Sequence, residues 1–304
     1  IRDSRVSLGL GDVYKRQEKE GFKHDGIQLS FKNHGFRINL KKLTNKYVTV
    51  YGQTEVTKDL YEIIQKENGT IINNAEEVFP KEIDTENPYV TFKKNGIETK
   101  ITCDFIVGCD GYHGISRSTI PKNIIRTHER VYPFGWLGIL SETSPVSDEL
   151  IYANHGSGFA LASMRNQNLS RYYIQTSLND KIEDWPDIKF WDELKKRLPT
   201  EAADTIMTGQ SIEKSIAPLR SFVCEPMSWK KLFLVGDAAH IVPPTGAKGL
   251  NLAFSDVYYL YKAFEQYYKF EINDDLDIYS SKALSRVWKA IRFSWWMTTT
   301  FHKF

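Results

Sequence analysis

The sequence has few cysteines, no excess of either charge and no long apolar run. Its 304 residues contain three cysteines, at positions 103, 109 and 224, which argues against a disulfide scaffold and fits a reducing cytoplasm. Their spacing is not that of a zinc site, and we predict no metal. Lys and Arg number 40 against 38 Asp and Glu, so the net charge of +2 gives no sign of a nucleic-acid partner. No stretch approaches the ~18 apolar residues that a membrane span requires.

The amino-terminal residues also lack a complete dinucleotide-binding turn. Gly9-Leu10-Gly11 resembles the start of such a turn, but Tyr14 stands where the third glycine belongs and no buried strand precedes it. Residues 1–17 show no helical period, and we interpret them as non-native or disordered sequence. The chain ends shortly after Trp295-Trp296-Met297, within a predicted amphipathic helix.

Hydrophobic periodicity and turn residues predict a mixture of helices and strands. Two strand-like runs flank Asn95-Gly96, which is a strong hairpin signal, and residues 130–180 predict a sheet. Helices are expected at 53–66, on both sides of Pro199, at 248–270 and at the end of the chain. In the 248–270 helix one face carries Val257, Leu260, Tyr261 and Phe264. In the last helix one face carries Leu284, Val287, Trp288, Ile291 and Trp295, which suits a dimer contact or burial within one chain.

Two segments combine an apolar strand with an acid at its carboxyl end. In residues 232–252 the strand ends at Asp237 and a Pro- and Gly-rich turn opens a helix; in residues 103–117 the strand ends at Asp110-Gly111. Ligands of open α/β sheets bind at such strand ends, and the start of a helix offers free N–H groups. Two acids therefore suggest one extended ligand with hydroxyls or a diphosphate. The alternative is that each Asp simply caps a turn.

A hairpin is also predicted between residues 159–165 and 171–175. A symmetric loop would pair Ser163 with Tyr173 and Arg165 with Arg171, and would place all four on one face of the sheet. A buried guanidinium beside a hydroxyl and a phenol suits a carboxylate ligand. Solvated arginines on a surface strand are the alternative.

Together these segments resemble the single-component FAD-dependent aromatic hydroxylases, and among them the branch that acts on 4-hydroxybenzoate. The resemblance extends from about Glu20 to the end and includes residues 50–55, 130–138, 149–155, 214–223 and 292–298. It implies hydroxylation of 4-hydroxybenzoate to 3,4-dihydroxybenzoate with FAD, NADPH and O₂, through a flavin C4a-hydroperoxide. It also implies a cytoplasmic homodimer with neither a nucleic-acid nor a membrane partner.

The resemblance assigns roles to individual positions. The substrate carboxylate would be held by Ser163, Arg165 and Tyr173, and its phenol oxygen would contact Tyr152 and the backbone carbonyl of Pro244, with His24 at the solvent end of a proton relay. NADPH would contact His113 and Arg220. FAD would be held by Gln53, Asp110, Gly111, Arg171, Asp237, Gly246, Lys248, Gly249, Leu250 and Asn251.

The expected fold class is α/β, mixed with α+β features. We predict a partial Rossmann-like FAD-binding domain over 18–127, an inserted substrate-binding β-sheet domain over 128–214, a return to the FAD-binding domain over 215–250 and a helical region over 251–304. The family opens with a Gly-rich strand and turn and continues past the last helix, so we interpret the sequence as an interior segment of a hydroxylase. The alternatives are a related hydroxylase of another aromatic acid and a catalytically inactive truncated fragment.

Overall fold

The computed structural model describes residues 16–304, and strands and helices alternate along them in the mixed α/β arrangement that the sequence predicts. The prediction for Gly9-Leu10-Gly11 lies outside the described residues. So does the prediction for the amino-terminal segment 1–17, except at its last two residues, 16 and 17. Within 16–304, none of the helices combines the length and apolar character needed to cross a bilayer.

The strands are β1 (Phe22–His24), β2 (Gly26–Phe31), β3 (His34–Asn39), β4 (Val48–Val50), β5 (Glu76–Lys81), β6 (Tyr89–Lys94), β7 (Ile97–Thr102), β8 (Ile106–Gly108), β9 (Arg126–Ser141), β10 (Ile151–Asn154), β11 (Ala160–Asn166), β12 (Leu169–Thr176), β13 (Ser211–Glu225), β14 (Ser228–Trp229), β15 (Leu232–Leu234) and β16 (His240–Ile241). The helices are α1 (described over 16–20), α2 (Leu40–Thr44), α3 (Gln53–Lys66), α4 (Ser116–Thr119), α5 (Asp187–Arg197), α6 (Thr200–Thr205), α7 (Gly249–Phe270), α8 (Asp274–Asp277) and α9 (Tyr279–Phe301). Short 3₁₀ turns occupy Ile182–Asp184, Gly236–Ala238 and Pro244–Gly246.

The chain divides into two compact units. Unit 1 holds the described residues up to Ile71, then Pro133–Pro218 and Thr300–Phe304; unit 2 holds Ile72–Tyr132 and Leu219–Thr299. The compact units group residues 16–71 with the large sheet. The domain bounds expected from the sequence stay a prediction.

Unit 1 is built on a sheet in which β13, β9, β12, β11, β10, β2 and β3 are hydrogen-bonded in that order. The pairs β9–β12, β12–β11, β11–β10 and β2–β3 are antiparallel, and the pair β10–β2 is parallel. Helices α5 and α6 cover one face, where Tyr172, Ile174 and Phe190 are completely buried. Because strand side chains alternate, the neighbours of Tyr172 and Ile174 along β12 lie on the opposite face.

Unit 2 contains a small sheet in which β15 pairs in parallel with β8 and antiparallel with β14, and a separate antiparallel sheet of β5, β6 and β7. The β6–β7 turn is the predicted Asn95-Gly96, where both residues have positive φ (52° and 76°). Strand β15 is fully buried against the long helices, with Leu232 and Leu234 in the core.

The extents of the long helices follow the sequence closely, and the apolar faces predicted on α7 and α9 are only partly buried. On α7 the buried residues are Leu252, Asp256, Leu260 and Ala263, while Val257 is 49% exposed. On α9 Val287 is buried, but Trp288 and Trp295 are 38% and 40% exposed. Apolar spacing located the apolar faces but could not detect the buried acid at position 256.

Candidate active site

Asp110 and Asp237 lie at one edge of the small sheet in unit 2. Strands β8 and β15 are parallel neighbours, with Leu234 opposite Gly108, so the acids that follow each strand emerge at the same end. Arg117 links the two loops, because its guanidinium donates to the carbonyl oxygens of Ala238 (2.7 Å) and Tyr112 (2.6 Å). The two predicted acids are thereby brought together on one rigid edge.

Asp110 has a structural role that leaves part of its carboxylate available. Its Oδ2 accepts the backbone N–H of Ser116 at 2.8 Å, at the start of α4. The next residue, Gly111, has φ of +74°, and nothing lies within 4 Å of the position that a β-carbon would take. Capping and ligand binding are therefore compatible here, since the loop leaves open space beside the acid.

The turn between β16 and α7 presents backbone groups instead of side chains. The carbonyl oxygen of Pro244 accepts the N–H of Ala247 at 2.8 Å and keeps a second lone pair. Helix α7 begins after Lys248 with no side-chain cap, so the N–H groups of its first turn, Gly249 to Asn251, have no helical acceptor. Leu250 and Asn251 are exposed beside them. Such a helix start favours an electron-rich ligand group.

The two predicted NADPH residues, His113 and Arg220, lie in unit 2 and differ in their surroundings. His113 is exposed, whereas Arg220 is held by Glu129 at 3.1 Å. The Tyr112 hydroxyl donates to the same Glu129 oxygen at 3.0 Å, and the Arg220 guanidinium lies 4.7 Å from the Tyr112 ring centroid. Glu129 and Tyr112 thus fix the direction in which Arg220 points.

The β11–β12 hairpin forms as predicted, but its register is wrong by two residues. Ser163 pairs with Arg171 and Leu161 with Tyr173, because the turn is centred on Gln167-Asn168 and a bulge interrupts β11 between Met164 and Asn166. A shift of two preserves the face, so Ser163, Arg171 and Tyr173 still lie on one side of the sheet. Arg165 falls in the bulge and is exposed, which contradicts the expectation of a buried guanidinium.

The two arginines of this hairpin differ in the protein groups that they bind. Arg171 forms a two-pronged ion pair with Glu213 (2.8 and 3.3 Å) and donates from Nε to the Tyr173 hydroxyl at 3.2 Å. The Tyr173 proton consequently remains free to be donated. Arg165 has no hydrogen bond or ion pair among the described residues. Arg165 is therefore the guanidinium that remains available to an anionic ligand.

Tyr152 lies on the same sheet face as Tyr173. The register places Tyr152 opposite Leu161, Leu161 opposite Tyr173 and Tyr173 opposite Gly138, so the four form one row across β10, β11, β12 and β9. Two strand spacings, about 10 Å, separate Tyr152 from Tyr173. Tyr152 is buried, and burial raises the pKa of its phenol from 10.0 to about 12.

His24 and Gln53 are also in unit 1. His24 is 2% exposed, and neither of its ring nitrogens has a hydrogen-bond partner among residues 16–304. Burial lowers the pKa of His24, and the carboxylates of Glu149 and Asp148 partly oppose this effect. Gln53 is exposed at the first position of α3.

Sequence reasoning missed the buried polar groups that support these positions. The His240 ring lies 2.6 Å from Asp256 Oδ2, which also accepts the N–H of Gly236 at 3.0 Å, and both side chains are 1% exposed. This pair anchors the loop that carries Asp237 to α7. The signal was an acid on an otherwise apolar helix face. Glu213 had no comparable signal, because its partner is distant in sequence.

Comparison with known proteins identifies the family. The FAD binding domain family matches residues 7–294. The p-hydroxybenzoate hydroxylase of Acinetobacter baylyi is 54% identical over 99% of this chain and 75% of its own length. A kynurenine 3-monooxygenase of Aspergillus candidus is 28% identical over 62% of this chain and 40% of its own length.

Solved structures share the fold at low identity. The p-nitrophenol 4-monooxygenase PnpA of Pseudomonas putida superposes with a TM-score of 0.83 at 14% identity, covering 99% of this chain and 78% of that one. PqsL of Pseudomonas aeruginosa, a probable FAD-dependent monooxygenase, gives 0.78 at 17% identity, covering 96% and 81%.

The described residues of unit 2 fit an FAD-binding role. The uncapped start of α7, the open space at Gly111 and two acids at one sheet edge are the groups that a flavin with its ribityl hydroxyls would use. The predicted assignments of individual residues to FAD stay predictions. The family match and the 54% identity show that this chain belongs to the FAD-dependent aromatic hydroxylases, the family that includes p-hydroxybenzoate hydroxylase, and is a flavin-dependent monooxygenase.

Proposed function

We propose that this chain hydroxylates 4-hydroxybenzoate to 3,4-dihydroxybenzoate, with FAD as cofactor and NADPH and O₂ as co-substrates. The observation that carries the proposal is that the buried phenol of Tyr152 shares one face of the unit 1 sheet with Ser163, Arg171 and Tyr173, whose hydroxyl and guanidinium groups are of the kind that can hold a carboxylate. The separation of about 10 Å between the strands of Tyr152 and Tyr173 is comparable with the length of a para-hydroxy aromatic acid plus its hydrogen bonds. The named relative, at 54% identity, supports this substrate.

The carboxylate end of the substrate is assigned to Arg165, Ser163 and Tyr173. Arg165 makes no hydrogen bond or ion pair among the described residues. The Tyr173 hydroxyl accepts a hydrogen bond from Arg171 and keeps its own proton to donate. Ser163 is buried, and its hydroxyl makes only a long contact of 3.3 Å to its neighbour's carbonyl. In the proposed site, the Arg165 guanidinium and the two hydroxyls would together hold the carboxylate through charge-assisted hydrogen bonds.

The phenol end of the substrate is assigned to Tyr152. Its raised pKa keeps it protonated at neutral pH, so it can donate to the substrate's oxygen and stabilise the phenolate. A phenolate is electron-rich at the ortho carbon, which is the carbon to be hydroxylated. The free lone pair of the Pro244 carbonyl is the proposed second contact of this oxygen.

His24 is the proposed carrier of the phenol proton. Its lowered pKa keeps it neutral near pH 7, so a ring nitrogen can accept a proton. A recess of about 510 Å³ is lined by both sequence neighbours of His24, Lys23 and Asp25, and by Glu149. Solvent in this recess would exchange the proton, while Glu149 and Asp148 stabilise the charged ring.

When bound and reduced by NADPH, FAD supplies the activation of O₂. We propose that Gln53, Asp110, Gly111, Arg171, Asp237 and the backbone of 246–251 hold it, and that His113 and Arg220 contact NADPH. The contribution of the chain is to orient the acid, to supply the Tyr152 proton donor and to exclude water.

The test is a visible flavin spectrum of the purified chain with FAD, recorded with and without 4-hydroxybenzoate. Bound flavin whose spectrum shifts with the acid, but not with unsubstituted phenol, supports the proposal. A shift of equal size with phenol would contradict the carboxylate assignment and favour a different aromatic substrate. The predicted homodimer is tested separately by sedimentation velocity, and the cytoplasmic location remains a prediction.

A further inference from the structure

Three buried hydroxyl groups lie where the turn Pro244–Gly246 meets helix α9. Thr245, in the turn, is completely buried, as are Ser294 and Thr298 on the helix. Ser294 and Thr298 are four residues apart and so lie on the same helix face. The Thr245 and Thr298 hydroxyl oxygens are 3.0 Å apart.

The hydrogen bonds of this cluster have a defined direction. The Thr298 hydroxyl donates to the backbone carbonyl of Ser294 at 2.7 Å. A hydroxyl has one proton, so in the Thr245–Thr298 contact Thr298 must accept and Thr245 must donate. The chain of bonds therefore runs from the turn, through Thr298, to the backbone of α9.

Ser294 acts on the turn through its size. A β-carbon at Gly246 would lie 2.5 Å from the Ser294 Oγ, so the backbone of the turn rests directly against this hydroxyl. The same oxygen makes no hydrogen bond within the described part of the chain. A buried hydroxyl without a partner is costly, so its contribution here is to set the gap between the helix and Gly246.

We propose that Thr298 and Ser294 are positioning residues that fix the turn Pro244–Gly246 on α9 and thereby place the groups this turn presents. The Pro244 carbonyl and the start of α7 move with the turn, because Ala247 N–H is bonded to that carbonyl at 2.8 Å. The inference rests on the proposed function for what these groups contact, but the placement itself is a property of unit 2 alone.

The decisive variant is Thr298→Val, which keeps the shape and removes the acceptor of Thr245. Thr298→Ser restores the hydroxyl, and Thr299→Val is the matched control, because within residues 16–304 the Thr299 hydroxyl bonds only its own helix, at the carbonyls of Trp295 and Trp296. Amide hydrogen exchange is measured on the chain without ligand. Exchange over residues 245–248 should accelerate about tenfold in Thr298→Val and stay unchanged in Thr299→Val and Thr298→Ser.

The second readout is ligand binding. FAD should bind about tenfold more weakly to Thr298→Val, and the absorbance shift of bound 4-hydroxybenzoate should shrink, while Thr299→Val matches the parent chain. Ser294→Ala removes the oxygen that sets the gap to Gly246, and Ser294→Val replaces it with a bulkier group, so each variant should displace the turn and accelerate exchange over residues 245–248. A folded Thr298→Val chain with unchanged exchange would overturn the proposal. A parent chain that binds no FAD would instead refute the proposed function, and the exchange data would still decide this one.

Discussion

Replacing Arg165 by Gln tests the assigned contact between this chain and its acidic substrate. Arg165 forms no close ion pair among the described residues, although its charge helps to lower the pKa of Glu213, whereas Arg171 is bound directly by Glu213. The variant should therefore remove a charge-assisted interaction with the ligand without leaving a protein carboxylate unpaired. Such an interaction contributes roughly 1.5–3 kcal/mol, which corresponds to about a 10- to 150-fold weaker Kd. The exposure of Arg165 favours the lower end of this range, since solvent screens its charge.

The assay uses two ligands so that the carboxylate contribution is isolated. The flavin absorbance is titrated with 4-hydroxybenzoate and with 4-hydroxybenzamide, which has the same ring and phenol but no charge. The parent chain should bind the acid more tightly than the amide, and Arg165→Gln should lose most of that difference by weakening the acid alone. Arg126→Gln, an exposed arginine at the start of β9, is the control and should change neither Kd. An acid-to-amide ratio in Arg165→Gln equal to that of the parent would refute the reasoning.

Three further predictions concern other residues. Tyr152→Phe should keep the Kd for 4-hydroxybenzoate within about threefold and lower the rate of hydroxylated product by about 100-fold or more, because it removes only the proton donor; unchanged product formation would contradict this role. His24→Asn should make the free energy of unfolding depend less on pH on the acid side. Burial lowers the pKa of His24 below 6.5, so between 6.5 and the lowered pKa only the unfolded chain takes up the proton. The parent chain therefore loses stability as the pH falls from 6.5 towards the lowered pKa. Urea unfolding at several pH values measures this, and a parent and variant with parallel profiles would contradict it. His240→Phe should lower the free energy of unfolding by about 3–5 kcal/mol, since it leaves the Asp256 carboxylate buried without its ring partner. Chemical denaturation measures this. A free energy within about 1 kcal/mol of the parent, about the error of such a comparison, would refute it.

Strand ends and tight turns were predictable because their signals are local. The apolar run before Asp110 and the one before Asp237 each fixed a strand and the direction of its carboxyl end. The positive φ required after β6 was already evident from Asn95-Gly96. The sequence did not predict that the two strands are parallel neighbours; the structure established this.

Features that depend on partners distant in sequence were not predictable. The hairpin register depended on a bulge near Arg165, which an argument from loop symmetry cannot detect. The ion pair that holds Arg171 depended on Glu213, which is 42 residues away in the sequence. The burial of Asp256 on α7 was not predictable, because it depends on the His240 ring and apolar spacing places no acid in the core.

Sheet alternation preserved the part of the candidate site that matters most. An error of two residues in register leaves every side chain on its original face, whereas an error of one would have moved Tyr173 to the α5 and α6 side. Ser163, Arg171 and Tyr173 therefore still share a face with Tyr152. The roles of these residues in binding and catalysis stay predictions until the variants are measured.

The measurement that tests the central claim most directly is the fate of 4-hydroxybenzoate in the presence of the chain, FAD, NADPH and isotopically labelled O₂. The account predicts 3,4-dihydroxybenzoate carrying one labelled oxygen atom, formed in proportion to the NADPH consumed. NADPH consumption with release of hydrogen peroxide and unaltered 4-hydroxybenzoate, under conditions in which FAD is bound, would contradict it.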